Sequence, residues 1–281
     1  MNLAIRFDID TTQCMRSGVP VLLALGEKYS VPFTFYANMG RSIDAQSIRS
    51  FFSKKTHADT PKTYKLSVLE KLGFFSVLHT LLLNPRVGSS YPALLKQLVA
   101  EGHELGLHGG RNHATWQRSA QLWTEDKIKA EVEWGVKQFQ AANLPLPNTF
   151  SSPGFNSPVK LPVILKELGF NLMADLCVSD KGPLDQNSVN EDGTIINVNT
   201  NVSGQPGSIG FFEWCKAKRL TNQKMLDIVL EKLDQDTDAV LYDHPAYISN
   251  GGAKQLEYLI TELQKRKVRF SSVSQLIHLD E

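Results

Sequence analysis

Leu3-Ala4-Ile5-Arg6-Phe7-Asp8-Ile9-Asp10-Thr11-Thr12 sets the reading of this chain. Leu3 to Phe7 has the apolar density of a buried strand, and two aspartates mark its C-terminal end. Side chains alternate along a strand, so Asp8 and Asp10 project to the same face. Carboxylates held side by side repel unless they share a cation, a proton or an arginine. The plainer alternative is a polar turn with an Asx-type bond.

A helix pattern follows over 18–29, carried by Val21, Leu22, Leu25 and Tyr29, and then a second strand over 33–37. The alternation resumes after residue 90. Helical spacing over 91–101, 124–142, 159–168, 222–233 and 254–266 separates strand-like pieces at 103–107, 149–152, 172–175, 195–198, 239–242 and 268–270. Eight short strands separated mostly by helices predict an α/β fold, a distorted (β/α)7-8 barrel formed as one domain over 1–281. In such a barrel chemistry collects at the C-terminal strand ends. Those ends carry Asp8 and Asp10, His108, Ser152-Pro153-Gly154-Phe155, Asp175, and Asp243-His244.

The third strand runs into Leu107-His108-Gly109-Gly110-Arg111-Asn112-His113, which holds two of the seven histidines. A strand end gives a polar side chain a rigid base, and glycine lets the loop close tightly around what it holds. Taken alone, the pair also reads as two surface histidines in a loop.

Composition bounds the function. A net charge of +1 argues against a general nucleic-acid role. Cys14, Cys177 and Cys215 have neither metal-type spacing nor an even count, which suits a reducing compartment. Met1 leads directly into strand-like sequence without a signal-peptide pattern, and no apolar run reaches the roughly 18 residues of a spanning helix. The expected location is cytoplasmic, with visits to the inner face of a membrane. That second expectation rests on an inserted segment, about 42–90. Residues 41–90 hold eight Lys/Arg against three Asp/Glu, together with Phe51, Phe52 and the apolar run Leu72 to Leu83. Basic residues beside a short apolar helix suit peripheral contact with an anionic membrane, and a helix buried against the barrel is the alternative.

Phe7-Asp8-Ile9-Asp10-Thr11, His108 through His113, and Leu241-Tyr242-Asp243-His244-Pro245 resemble three motifs of the polysaccharide deacetylases, carbohydrate esterase family 4. The chain is more similar still to the branch of 4-deoxy-4-formamido-L-arabinose-phosphoundecaprenol deformylases, through Gly18-Val19-Pro20, Asn38-Met39-Gly40-Arg41 and the insertion before the histidine motif. The resemblance implies a distorted barrel and metal-dependent hydrolysis of an amide, with Asp10 and the histidine pair as ligands. It implies Asp8 as general base, His244 as general acid, and Asp175 as the carboxylate that orients His244. Backbone N–H groups at Gly154 and Phe155 would hold the developing oxyanion. The metal implied is divalent, Zn²⁺ first, with Co, Mn or Fe as alternatives. Two departures stand out. The family's second histidine falls where this chain has Asn112, so either His113 or Asn112 completes the set, with His113 preferred. The family's arginine two residues before the proline is Ser151 here, which leaves the metal or Arg6 to neutralise Asp8.

The leading expectation is removal of an N-formyl or N-acetyl group from an amino sugar, free or lipid-linked. The competing ones are a deacylase of soluble amides or oligosaccharides, and a catalytically silent barrel that serves as a binding module.

Overall fold

The computed structural model describes residues 1–52, 66, 70, 73–177, 195–204, 209–236 and 238–277. Its strands are β1 (Asn2–Ile9), β2 (Thr34–Ala37), β3 (Glu104–His108), β4 (Thr149–Ser151), β5 (Leu172–Leu176), β6 (Ile196–Asn199), β7 (Asp238–Asp243) and β8 (Arg269–Ser271). They form one sheet in the order β6-β5-β4-β3-β2-β1-β7, with β8 paired to β1, and every ladder is parallel. All eight predicted strands are present within a residue or two of their expected bounds. Helices that the sequence pattern missed are short ones: Ala45–Phe52, His113–Ser119, Phe211–Ala217 and Val273–Ile277.

The strand β1 shows how the barrel is built. Leu3, Ile5, Phe7 and Ile9 pack outward into the main core under the helices, while Ala4 belongs to a second cluster inside the barrel. That inner cluster also contains Tyr36, Leu172, Ala174, Val198 and Val240 and is closed below by Val273 and Leu276 of the last helix. Polar residues of the same parity as Ala4, namely Arg6 and Asp8, therefore stack up the barrel axis toward its C-terminal mouth.

Distortion is concentrated where the sheet closes. Between β6 and β7, among the described residues, a single bridge, Val202 to Leu241, replaces a ladder. Val202 N–H donates to Val240 O at 3.1 Å and Tyr242 N–H to Val202 O at 3.0 Å. The side chain of Asn201 stands in for the missing backbone partner, with Oδ1 accepting from Val240 N–H at 2.8 Å.

The insertion contributes the helices Ala45–Phe52 and Phe74–Leu83. Lys54, Lys55, Lys62 and Lys65 lie outside the described residues, as do the side chains of Phe51 and Phe52. Helix Phe74–Leu83 is packed on one side and open on the other: Val77 and Thr80 are buried, whereas Phe74, Phe75, Leu78, Leu82 and Leu83 are exposed.

Another histidine has a purely structural place. His103 Nδ1 accepts the Phe33 N–H at 3.0 Å, and its ring stacks on Phe33 with 8° between the planes. Burial lowers its pKa, against a smaller opposing pull from Glu101. The unfolded chain therefore takes up a proton on this ring before the folded one does. The His103 contribution to stability should be complete above about pH 6.5, the ordinary imidazole value, and fall as pH drops through it. His103→Gln is expected to remove part of the difference between urea midpoints at pH 7.5 and 5.5. At the seam, Asn201→Ala should cost about 1–3 kcal/mol in urea unfolding, because it leaves the Val240 N–H buried without a partner.

Candidate active site

The mouth of the barrel brings Asp8, Asp10, His108, His113 and His244 together. Asp8 and His108 stand near the ends of β1 and β3 on the inner parity, and His244 follows β7. Asp10 lies one residue past β1, where Ser42 Oγ donates to its carbonyl at 2.8 Å. One carboxylate then faces three imidazoles. Asp10 Oδ1 is 3.2 Å from His108 Nε2 and 3.2 Å from His113 Nε2, and Oδ2 is 3.3 Å from His244 Nε2. Burial would raise the Asp10 pKa, but the rings of His113, His108 and His244 hold it well below the usual carboxylate range.

The histidines are oriented by what lies behind them. His108 Nδ1 faces the Ser151 carbonyl at 2.9 Å; a carbonyl only accepts, so Nδ1 carries the hydrogen and Nε2 is the atom offered to Asp10. Burial pulls the His108 pKa down, but Asp8 and Asp10 together raise it. The loop beyond needs its glycines. Gly109 has φ 68°, and a Cβ there would lie 2.6 Å from Pro153 Cγ. Gly110 is pressed in the same way against Glu131.

Asn112 and His113 are placed differently. Asn112 is the N-cap of helix His113–Ser119: its Oδ1 accepts from Thr115 N–H at 3.0 Å and its Nδ2 donates to Ile43 O at 2.8 Å. Both ends of its amide are engaged away from Asp10, and His113 occupies the mouth.

Arg6 answers the question raised by Ser151. It is fully buried, and Nη2 reaches both Asp8 oxygens at 2.7 and 2.8 Å and Ser151 Oγ at 2.5 Å. Nη1 donates to Ala174 O at 2.5 Å. Its guanidinium carbon sits 4.6 Å from the Tyr36 ring centroid and 5.3 Å from that of Tyr242. The burial that opposes its charge is outweighed, chiefly by Asp8, and its pKa is raised. A serine at 151 thus receives an arginine arriving from β1.

Two expectations are corrected. Asp175 does not orient His244. Its Oδ1 accepts the Ser152 N–H at 2.5 Å, bracing the turn after β4, and burial raises its pKa. The carboxylate against His244 Nδ1 is Glu213, 2.8 Å away, on helix Phe211–Ala217. Asp243 fixes that helix, since Oδ2 accepts from Phe212 N–H at 2.6 Å and Oδ1 accepts from His244 N–H at 2.7 Å. On its other side His244 Nε2 meets Tyr242 OH at 2.8 Å. The second correction concerns Phe155, whose N–H is taken by Ser152 O at 2.9 Å and is not available to an oxyanion. Sequence reading missed Glu213 and Tyr242. For Glu213 the signal was an acid inside Gly210-Phe211-Phe212-Glu213-Trp214, an aromatic run that implies burial and hence a partner.

The donor set can be tested for a cation directly. Asp10 Oδ1 and His113 Nε2 are buried without a hydrogen bond. Among the described residues, Asp10, His108 and His113 each offer a ligand atom, all within 4.8 Å of one another. One carboxylate oxygen and two imidazole nitrogens suit Zn²⁺ or a neighbouring divalent ion.

The polysaccharide deacetylase family model matches residues 2–173. This chain belongs to the polysaccharide deacetylase family. Over 140 residues, 48% of the chain, it is 28% identical to an ArnD protein of Shewanella sediminis, assigned as a 4-deoxy-4-formamido-L-arabinose-phosphoundecaprenol deformylase. The match spans 43% of that relative's length. The fold is shared with a protein of Mycobacterium smegmatis assigned as a polysaccharide deacetylase (TM-score 0.62, 17% identity, 98% of this chain and 88% of that one). It is shared too with a CE4 family pseudoenzyme of Bacillus anthracis (TM-score 0.54, 12% identity, 98% and 64%).

The Arg6–Asp8 pair yields a stability prediction. Arg6→Met strands a buried carboxylate and should cost about 3–5 kcal/mol in urea unfolding. Adding Asp8→Leu removes the stranded charge and should return a large part of that loss, the two changes being strongly non-additive.

Proposed function

We propose that the protein is a metal-dependent amide hydrolase that removes an N-formyl or N-acetyl group from an amino sugar. The observation that carries the proposal is Asp10 Oδ1 and His113 Nε2, buried without hydrogen bonds, beside His108 Nε2. Asp10, His108 and His113 are the proposed ligands. When bound, a divalent ion supplies Lewis acidity, making water more acidic and polarising an amide carbonyl. Zn²⁺ is the ion proposed first, with Co, Mn or Fe as alternatives.

The chain's own groups divide the proton work. Asp8, whose Oδ2 lies 3.8 Å from His108 Nε2, takes the proton of the attacking water, while Arg6 compensates its charge. His244 gives a proton to the nitrogen as the carbon–nitrogen bond breaks, so formate or acetate and a free amine leave. Glu213 keeps the His244 ring in position, the part first expected of Asp175. The Gly154 N–H is the remaining backbone candidate for the oxyanion.

The name of the Shewanella relative supports the finer reading, in which the amino sugar hangs on a phosphate-linked lipid; work at the cytoplasmic face of a membrane is part of the same proposal. The retained base, acid and ligand set weighs against a silent barrel.

Purified protein is expected to carry about one equivalent of metal, and His108→Ala or His113→Ala to lose most of it, whereas Asn112→Ala keeps it. Asp8→Asn should retain the metal and lose roughly 10²–10⁴-fold in amine release from formylated and acetylated amino sugars. Protein that takes up no Zn²⁺, Co²⁺, Mn²⁺ or Fe²⁺ on titration would sink the proposal. Metal release by Asp8→Asn would exchange the roles of the two aspartates.

A further inference from the structure

Helix Phe74–Leu83 turns an apolar face to solvent beside the mouth. Phe75 is 83% exposed and Leu82 73% exposed, with Phe74, Leu78 and Leu83 around them. Positions 74, 78 and 82 recur every fourth residue and so share one side of the helix. The opposite side is anchored through Val77 and Thr80, and Ser76 Oγ donates to Gln13 Oε1 at 2.6 Å. Gln13 belongs to the segment that follows Asp10. At Glu70, just before the helix, the backbone carbonyl accepts from Asn250 Nδ2 at 2.7 Å, in the segment that follows His244. The helix is thereby tied to both loops that rise from the strands bearing the candidate base and acid.

Its surroundings are positive. No Asp or Glu occurs from Gly73 to Ser90. Arg41 reaches the carbonyl of Asn84, the helix C-cap, at 2.6 Å, and the exposed Arg86 follows two residues later. Upstream the sequence adds Lys54, Lys55, Lys62, Lys65 and Lys71 against Asp59 and Glu70. A self-interface gains nothing from a net positive charge beside its apolar centre, whereas an anionic bilayer attracts that charge and accepts large apolar side chains.

We infer that helix Phe74–Leu83, with Arg41 and Arg86 beside it, is the surface by which the protein docks on an anionic membrane. The inference rests on the hydrolase reading only for its purpose, presenting the mouth to a lipid-linked sugar; the surface itself is read from exposure and charge. The helix is short and lies on the bilayer. Among the described residues no helix is long and apolar enough to cross a membrane.

The test is co-sedimentation of the full chain with phosphatidylcholine vesicles and with vesicles of which roughly one-third is phosphatidylglycerol. Binding is expected on the anionic vesicles and is expected to fall when salt rises from about 50 to about 500 mM. Phe75→Glu and Leu82→Glu should each weaken it about tenfold or more, with circular dichroism and unfolding midpoint unchanged. The lipid and salt dependence of the wild type stands as a test even if a variant fails to fold. Wild type that stays in the supernatant at low salt, or folded variants that bind like wild type, overturns the inference. Equal binding to both vesicles at all salt concentrations overturns the anionic partner. A dimer in sedimentation velocity that Leu82→Glu dissociates makes the face a self-interface and also overturns it. Vesicle binding is read without substrate, so protein that docks but releases no amine loses the hydrolase reading and keeps the docking surface.

Discussion

A fully buried guanidinium is the constraint around which this barrel is arranged. Arg6 starts on β1 and reaches Asp8 on the same strand, Ser151 on β4 and the carbonyl of Ala174 on β5. Taking such a charge out of water costs several kcal/mol unless every donor finds an acceptor. The structure meets that demand at both Nη atoms with a carboxylate, a hydroxyl and a carbonyl, and lays the guanidinium against the faces of Tyr36, Phe155 and Tyr242, while Nε is buried without a partner. The same contacts that make the charge tolerable fix Asp8 in one place. Scaffold and site share one set of contacts, and a change that loosens the first displaces the second.

Parity explains how much of this was legible in advance. Once Leu3, Ile5 and Phe7 are taken as the helix-facing side of β1, Arg6 and Asp8 must face the interior. The same rule sends His108, Ser151, Tyr242 and His244 inward, opposite Leu107, Phe150 and Leu241, which pack in the outer core. With the strands read from apolar runs and the barrel from their order among the helices, that alternation turns Asp8, His108 and His244 toward the mouth. Asp175 shows where strand-end position misleads. Ala174 packs inside the barrel, so its neighbour turns away from it and meets the Ser152 amide instead of the acid histidine.

Glu213 shows the opposite failure. It belongs to a seven-residue helix beyond β6, and no local period relates it to His244, 31 positions away. Only the tertiary path of the chain, with Asp243 capping that helix, brings the two together. Asn112 and His113 lie between these cases. Their neighbourhood was evident from sequence, but which of them enters the mouth depends on where a helix begins. An asparagine with extended backbone (φ −147°, ψ 118°) and a side chain accepting from Thr115 N–H is an N-cap, and that role occupies the atoms a ligand would need.

The likeness to a pseudoenzyme of the same fold bears on what the barrel can and cannot decide. A TM-score of 0.54 over 98% of this chain describes strands and helices, and it is compatible with a mouth that works and with one that does not. The difference has to lie in a few side chains and in whether they converge. Here a single carboxylate, Asp10, lies 3.2–3.3 Å from three imidazole nitrogens, and one of its oxygens has no hydrogen bond. A buried carboxylate oxygen left without a donor costs free energy in any fold that has no use for it. A cation recovers that cost, and so would replacement of Asp10 by an apolar residue in a chain that had given up the metal. In this chain the set does converge, with Ser151 accepting an arginine from another strand and Glu213 behind His244, and that convergence is the feature on which the proposed hydrolase reading rests.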